Sequence, residues 1–464
     1  MENVQYPSTW TCTIAAFAPV WLGCRSPEPR VNDMAYRSIF NSSVSLSLCL
    51  TVALAAFFFA PWLFADDPGA ALQDELKPFD TEPLNRMTED DGRSSDPAER
   101  KPLSAIDPSG FGSGTSHWRN LRDDRRFITV EPDQASWRPD QVCEIVSNIL
   151  LFQRENGGWP KDYDMTAVLS DTQRQAVEAT KANSDTSYDN GNIHSQIEYL
   201  AKAYAQSGEL IWRQACERGF DFVLRSQYPN GGFPQRFPKH SSYHAHITFN
   251  DGVMIGILDM LQDATEQKPH FAWLGAERRE RAEEAVRLAI DCILRCQIVV
   301  DGTATGWCQQ HDESTFEARP ARTFELASIC PQETTEIVRF LMRQQEPDAK
   351  IFAATDAAVA WLKEVRLQGI RVDRIKAPRE EFLRQTVSFD IVVVPVENAP
   401  PIWARHYEIG TNRPIFAGRD GIRKYSLAEI ERERRSGTLW YGYWPDYEVL
   451  GSYDTWRRSH NLSE

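Results

Sequence analysis

Four clusters of this chain bring chemistry-bearing side chains together at short spacing. Ser184–Asn192 (SDTSYDNGN) places Asp189 just ahead of a helical stretch, and Tyr243–Gly252 (YHAHITFNDG) places Asp251 in the matching position before the next one. Either aspartate alone reads as a helix N-cap. At equivalent points of two repeats, however, they bring two carboxylates to one rim, and oxygen donors of that kind suit a hard cation such as Ca²⁺. His244 and His246 alternate in an extended stretch and would suit a transition metal, but lining or packing is the plainer role. The third cluster, Trp307–Glu325, carries Arg319 and Arg322, which in isolation read as a solvated pair. The fourth holds Arg405, Arg413, Arg419, Arg423 and Lys424, and guanidinium forks match carboxylates.

Helices must position these residues. An internal repeat sets their spacing: Leu151–Pro160 (LFQRENGGWP) returns as Arg225–Pro234 (RSQYPNGGFP), and a third copy follows with Gln297, Asp301-Gly302 and Gly306-Trp307. Ile193, Ile197, Leu200, Ala201 and Tyr204 form one apolar stripe at helical spacing, and Val253, Ile257, Leu258 and Leu261 form another. Each repeat, about seventy residues long, is therefore a pair of helices ending in glutamine and a glycine turn. Such pairs can close into a ring with the turns at one end. The expected fold class is all-α, an (α/α) toroid of repeated helix pairs, with minor β structure near Ser388–Pro400 (SFDIVVVPVENAP).

The chain has 464 residues and a formal net charge of −15, which argues against a nucleic-acid partner because such a partner needs a basic face. An anionic polymer is still compatible where cations are concentrated locally, as in the fourth cluster. Ser45–Phe64 is uncharged and apolar, follows Arg25, Arg30 and Arg37, and runs into Ala65-Asp66-Asp67. It reads as a signal peptide or, being near the ~20 residues a span needs, as a membrane anchor. Both imply export to a secreted or periplasmic location, and a start at Met34 gives a short n-region containing Arg37. Residues 1–65 are thus an extension and signal, 66–117 an acidic disordered linker, and 118–458 the folded domain. No stable membrane association is expected unless the apolar segment is retained, and a monomer is expected. Cys143, Cys216, Cys292, Cys296, Cys308 and Cys330 form no CxxC pair and read as buried thiols.

NGGWPKDYDM, SYDNGNIHSQIEYLAKAY, SQYPNGGFPQRFP, YHAHITFNDGVM, WCQQHD, RPARTFELAS and FAGRDG together resemble the pectate lyases of polysaccharide lyase family 10, over roughly residues 120–455. The resemblance implies a toroid that uses Ca²⁺ and an arginine base to cleave polygalacturonate by β-elimination. By motif, the base falls on Arg322 in PARTFE. The calcium site falls on Asp251 in FND and Asp189 in YDNG, and Asp189 also contacts substrate. Lys161, His311, Arg405, Arg413 and Arg419 are the further substrate-binding residues. Phe233 stands where a second tryptophan is usual, and the long N-terminal extension has no counterpart in the family pattern.

An arginine base conflicts with a guanidinium pKa above about 12; neighbouring cations and desolvation are expected to lower it. Two rivals are an (α/α) glycoside hydrolase using two of Asp189, Asp251, Asp312 and Glu313, and a non-catalytic sugar-binding toroid. Trp159, Tyr188, Phe233 and Trp307 are candidates for stacking on sugars, with core packing the plainer role. An arginine base predicts an alkaline activity optimum, and an optimum at or below neutrality in a pH–rate profile counts against it.

Overall fold

In the computed structural model, which describes residues 103–238 and 241–460, the repeated stripes become α-helices packed in two rows. After α1 (Gly112–Asn120), one row consists of α2 (Val142–Phe152), α5 (Leu210–Ser226), α7 (Ala276–Cys296) and α9 (Ala349–Glu364). The other consists of α4 (His194–Ser207), α6 (Val253–Thr265) and α8 (Pro331–Met342), each packed on the helix that follows it. The short α3 (Asp171–Glu178) lies against α2. Ile197, Leu200 and Ala201 of α4 and Val253, Ile257, Leu258 and Leu261 of α6 are fully buried, as their spacing requires. Starts are set locally. Ser170 and Gln173 form a capping box on α3, the Asp348 carboxylate accepts the Lys350 and Ile351 N–H groups at α9, and Pro331 opens α8 where its missing N–H breaks no bond.

The repeated glutamines join successive helices of the first row. Gln153 Nε2 donates to Gly157 O (3.0 Å) in its own turn and to Ala215 O (2.9 Å) in α5. Gln227 repeats this with Gly231 O (3.0 Å) and Ala285 O (2.8 Å) of α7, and Gln297 with Thr305 O (2.8 Å) and Ala354 O (2.9 Å) of α9. Trp159 and Trp307 then fold back, each donating its indole N–H to the preceding helix, to Ile149 O and Ile293 O (2.8 Å in both cases). Phe233, lacking that donor, is buried all the same.

Two expectations change. The linker was expected to run through residue 117; its 66–102 part, like the 45–64 segment, lies outside the described residues, but Ile106 and Phe111 are buried in the core and α1 is helical. Two apolar anchors among polar residues are too few for a compositional argument to register. The strand near Ser388–Pro400 exists, but as half of a long hairpin pairing Ile370–Glu381 with Thr386–Pro395. Its first strand, IRVDRIKAPREE, is largely exposed and so lacks the apolar run that marks a buried strand. Among the described residues no helix is long and apolar enough to cross a membrane. Among the described residues no two cysteines form a disulfide; five of the six are buried, while Cys143 is exposed.

Gly231 sits at φ +90°, and a Cβ there would stand 2.0 Å from Leu288 O. Gly231→Ala is expected to lose about 3 kcal/mol or more through backbone strain and clash, and Gln227→Ala about 2 kcal/mol through two unpaired buried carbonyls. Denaturant unfolding of the two variants beside Glu346→Ala, an exposed control expected to be near neutral, checks both values.

Candidate active site

A cavity of about 330 Å³ gathers Lys161, Asp189, Asp251, Arg322, Arg405 and Arg419 at its wall. Its lining includes eight Lys or Arg against six Asp or Glu, an excess of cations in a chain whose net charge is −15. The local concentration of positive charge inferred from sequence is therefore real, and such a cavity focuses an anionic ligand.

Asp189 and Asp251 come from two adjacent turns of the same design. Each turn is a three-residue 3₁₀ segment ahead of a helix of the second row, Asp189–Gly191 before α4 and Asn250–Gly252 before α6. In both the middle residue takes a left-handed backbone, Asn190 at φ 60° and Asp251 at φ 54°. Asp189 is thus equivalent to Asn250, and Asp251 to Asn190. The two aspartates do not occupy matching positions, as spacing had indicated; they meet because the turns lie side by side and each offers its acid from a different place. Asn and Asp tolerate left-handed backbone better than other non-glycine residues, which explains the alternation Asp-Asn-Gly and Asn-Asp-Gly.

The two carboxyls are in hydrogen-bond contact and titrate as a pair. Burial works against charge at Asp189, but the Lys161 ammonium bonded to it outweighs burial and holds its carboxyl below the usual range. Gln235 Nε2 adds a hydrogen bond of 2.8 Å to Asp189 Oδ1. At Asp251 burial and the Asp189 charge act together and push the carboxyl well above its ordinary value, opposed by Arg405. Lys161 also faces Asp162 at 3.3 Å; burial disfavours its charge, yet Asp189 and Asp162 raise it.

The arginines are mostly held in place by acids and amides. Arg405 donates to Gln332 Oε1 and Asn250 Oδ1 (3.0 Å each) and lies 3.6 Å from Glu333, so it is fixed beside the Asp251 turn. Arg322 grips Glu325 with Nε (2.7 Å), Nη2 and its own backbone N–H (3.1 Å). Burial would lower its pKa, but Glu325 more than reverses this and holds it above the ordinary arginine value. The lowering expected from sequence does not occur here, because a bidentate carboxylate outweighs burial. Arg419 and Arg434 each make two bonds to Glu433, at 2.9 and 2.7 Å and at 2.9 and 2.6 Å. The guanidinium groups of Arg322, Arg434 and Arg419 surround the buried Phe324 ring at 4.8, 4.5 and 5.7 Å from its centroid.

Two of the expected residues are placed elsewhere. His311 is completely buried, its Nε2 accepting the Cys308 N–H (3.0 Å) and its Nδ1 donating to Phe316 O (2.9 Å); burial lowers its pKa to about 4. It shapes its own turn. Arg413 stacks 3.6 Å over Tyr425 outside the cavity. Asp312 and Glu313 are also absent from the lining. With His246 they form a group whose potential ligand atoms lie within 4.8 Å, but His246 already bonds Glu313 (2.9 Å) and Asp312 bonds Arg319 (3.0 Å) and two backbone N–H groups. Trp159, Tyr188, Phe233 and Trp307 are core residues with no exposed surface. Sequence reasoning missed Glu433 and Arg434, hidden in the charged run ERERRS, which by itself reads as a solvated helix face.

The family model for pectic acid lyases matches residues 153–449. The chain belongs to the pectic acid lyase family. Among solved structures, a family 10 polysaccharide lyase from Cellvibrio cellulosa is similar with a TM-score of 0.57 and 27% identity, covering 68% of this chain and 92% of that one. A mutant of a family 10 lyase from the same organism, in complex with trigalacturonic acid, has a TM-score of 0.57 at 24% identity over 76% of this chain and 99% of that one, a likeness of fold. No curated protein sequence matches the chain. The protein is a pectate lyase by family, as its motifs implied.

For a pectate lyase the acid pair has a measurable signature. Asp251, protonated to higher pH when folded than when unfolded, stabilises less as pH climbs from the unfolded value toward the raised one; Asp189 acts oppositely, losing its contribution as pH falls. With a chelator present, the melting temperature of the wild type is expected to fall more with rising pH than that of Asp251→Asn. Parallel pH slopes would show that the two carboxyls do not repel each other.

Proposed function

We propose that the protein cleaves (1→4)-α-D-galacturonan by Ca²⁺-assisted β-elimination, releasing unsaturated oligogalacturonides. The observation that carries this reading is the acid pair set among arginines: two touching carboxyls in a cavity otherwise biased toward cations suit a uronate carboxylate joined to a divalent ion. The donors fit Ca²⁺. They are oxygens throughout, Asp251 must retain a proton to tolerate Asp189, and Gln235 Oε1 beside Asp189 is buried without a donor among the described residues. Asp189 and Asp251 would hold the ion, which supplies charge neutralisation at the uronate carboxylate.

The chain's own residues do the rest. Arg405, fixed by Gln332 and Asn250, orients the carboxylate, and Lys161 keeps Asp189 ionised. Arg322 takes the C5 proton; the C5–H electron pair becomes the C4=C5 double bond, and the C4–O4 bond breaks with its electrons leaving on O4. Only the neutral guanidine can accept that proton, and Glu325 opposes its formation. The pairing with Glu325 must therefore loosen for the base to act. A hydrolase using Asp189 and Asp251 is disfavoured by their contact, since even retaining glycosidases keep their two carboxyls about 5 Å apart.

We also propose that the two helix rows belong to an (α/α) toroid, and that a monomeric enzyme is exported by way of its 45–64 segment to a secreted or periplasmic location. Sequencing the N-terminus of the exported protein tests the last point.

Polygalacturonate at alkaline pH is expected to give rising ultraviolet absorbance that disappears with chelator and falls by about 10³-fold or more in Arg322→Ala. New reducing ends without absorbance would overturn elimination. Glu325→Gln, which removes the carboxylate holding Arg322 protonated, is expected to move the rising limb of the pH–rate profile to lower pH; an unmoved limb excludes Arg322 as the titrating base.

A further inference from the structure

The long hairpin is built for something other than core packing. Its strands, Ile370–Glu381 and Thr386–Pro395, far exceed the two-residue strands elsewhere among the described residues, and most of their side chains are exposed or half-buried. It is nevertheless held at two places. Along its length the helix Arg432–Gly437 lies against it: Arg432 Nε donates to Phe389 O (3.0 Å), Arg432 Nη2 to Pro378 O (2.6 Å), and Arg435 Nε to Asp390 (2.9 Å). At its tip, where Phe382 N–H closes the turn on Gln385 O (2.8 Å), Arg122 from the segment after α1 fastens it. The Arg122 backbone N–H donates to Arg384 O (3.0 Å), and its guanidinium to Phe382 O (2.6 Å) and to Glu381.

This double attachment brings Arg384 and Gln385 into the wall of the active-site cavity, together with Arg322, Phe324, Arg419 and Arg434. Arg384 differs from the other arginines there. Arg322, Arg419 and Arg434 are committed to carboxylates, Arg405 to two amides and Arg126 to backbone carbonyls. The Arg384 side chain makes no hydrogen bond or ion pair among the described residues; Asp123, the carboxylate that acts on it electrostatically, is already bonded by Arg125 Nε (2.9 Å), so the Arg384 fork keeps its donors for the cavity. A guanidinium held by its backbone with its donors free is prepared to take a bidentate carboxylate.

We propose that Arg384 is a substrate-binding residue that takes a uronate carboxylate from the hairpin side of the cleft, at a unit other than the one losing its proton. Arg122 is its positioning residue, acting through the hairpin tip. The inference rests on the reading of the protein as a polyuronate-cleaving enzyme and adds a specificity contact to that site.

The test is steady-state elimination by the full chain on polygalacturonate and on oligogalacturonates of increasing length, for the wild type, Arg384→Ala, Arg384→Lys, Arg122→Ala and Arg371→Ala. Arg371 removes the same charge from the same hairpin, where it pairs with Asp373 away from the tip. Arg384→Ala is expected to raise KM roughly tenfold with little change in kcat, as loss of one charge-assisted pair predicts. Arg384→Lys should recover part of the loss, Arg122→Ala should shift KM the same way, and added salt should shrink the difference. Unchanged KM in Arg384→Ala on every substrate, or an equal rise in Arg371→Ala, overturns the inference while leaving the lyase reading intact. A wild type that neither eliminates nor binds any oligogalacturonate in titration calorimetry overturns both together.

Discussion

Each repeat of this protein is tied to the next through one side-chain amide. Gln153, Gln227 and Gln297 each end a helix of the first row and divide their two amide hydrogens between their own turn and the following helix of that row. Because those carbonyls are buried, the bonds cannot be exchanged for water, and leaving them unmade costs more than making them gains. The consequence reaches well beyond the turns. The spacing of the first row sets the spacing of the helices packed upon it, and α4 and α6 are preceded by the two 3₁₀ turns that carry Asp189 and Asp251. Two carboxyls that cannot readily both ionise are held in contact by a scaffold whose own bonds are remote from them.

The cavity shows the same logic in its electrostatics. Nearly every charge in it is held by an opposite charge or an amide, so the cations are fixed in direction as well as number. Glu325 and Glu433 align Arg322, Arg419 and Arg434 around Phe324, and Lys161 keeps Asp189 ionised. Such pairing fixes guanidinium groups before a ligand arrives and reduces the ordering that binding must impose. It also sets an opposing demand on Arg322, whose Glu325 partner favours the cationic form over the neutral one a base requires. One residue thus faces two requirements, to bind an anion and to accept a proton, and its immediate partner decides the balance between them.

Much of this was legible in the residues. The apolar stripes of α4 and α6 are buried where their spacing put them, and the repeated Gln and Gly-Gly-Trp elements mark real helix ends. Lys161, Asp189, Asp251, Arg322, Arg405 and Arg419 converge on one cavity although they are scattered along the chain. His311 failed because burial leaves no trace in a short polar motif such as WCQQHD, and Arg413 failed because an arginine-rich segment does not say which arginine faces inward. Glu433, Arg434 and Arg384 were invisible for a related reason: a charged run or an exposed turn looks solvated until another part of the chain is laid beside it.

The residues by themselves determined the helical repeat, the family and the chemical types available to the site, since periodicity and motif are properties of neighbours along the chain. Only the tertiary structure decided that Asp189 pairs in register with Asn250 rather than Asp251, that Glu325 raises Arg322 instead of letting it fall, and that a hairpin carries Arg384 to the cleft. Those outcomes depend on distances between segments remote in sequence, and both Coulomb interaction and desolvation are set by such distances and by what fills the space between.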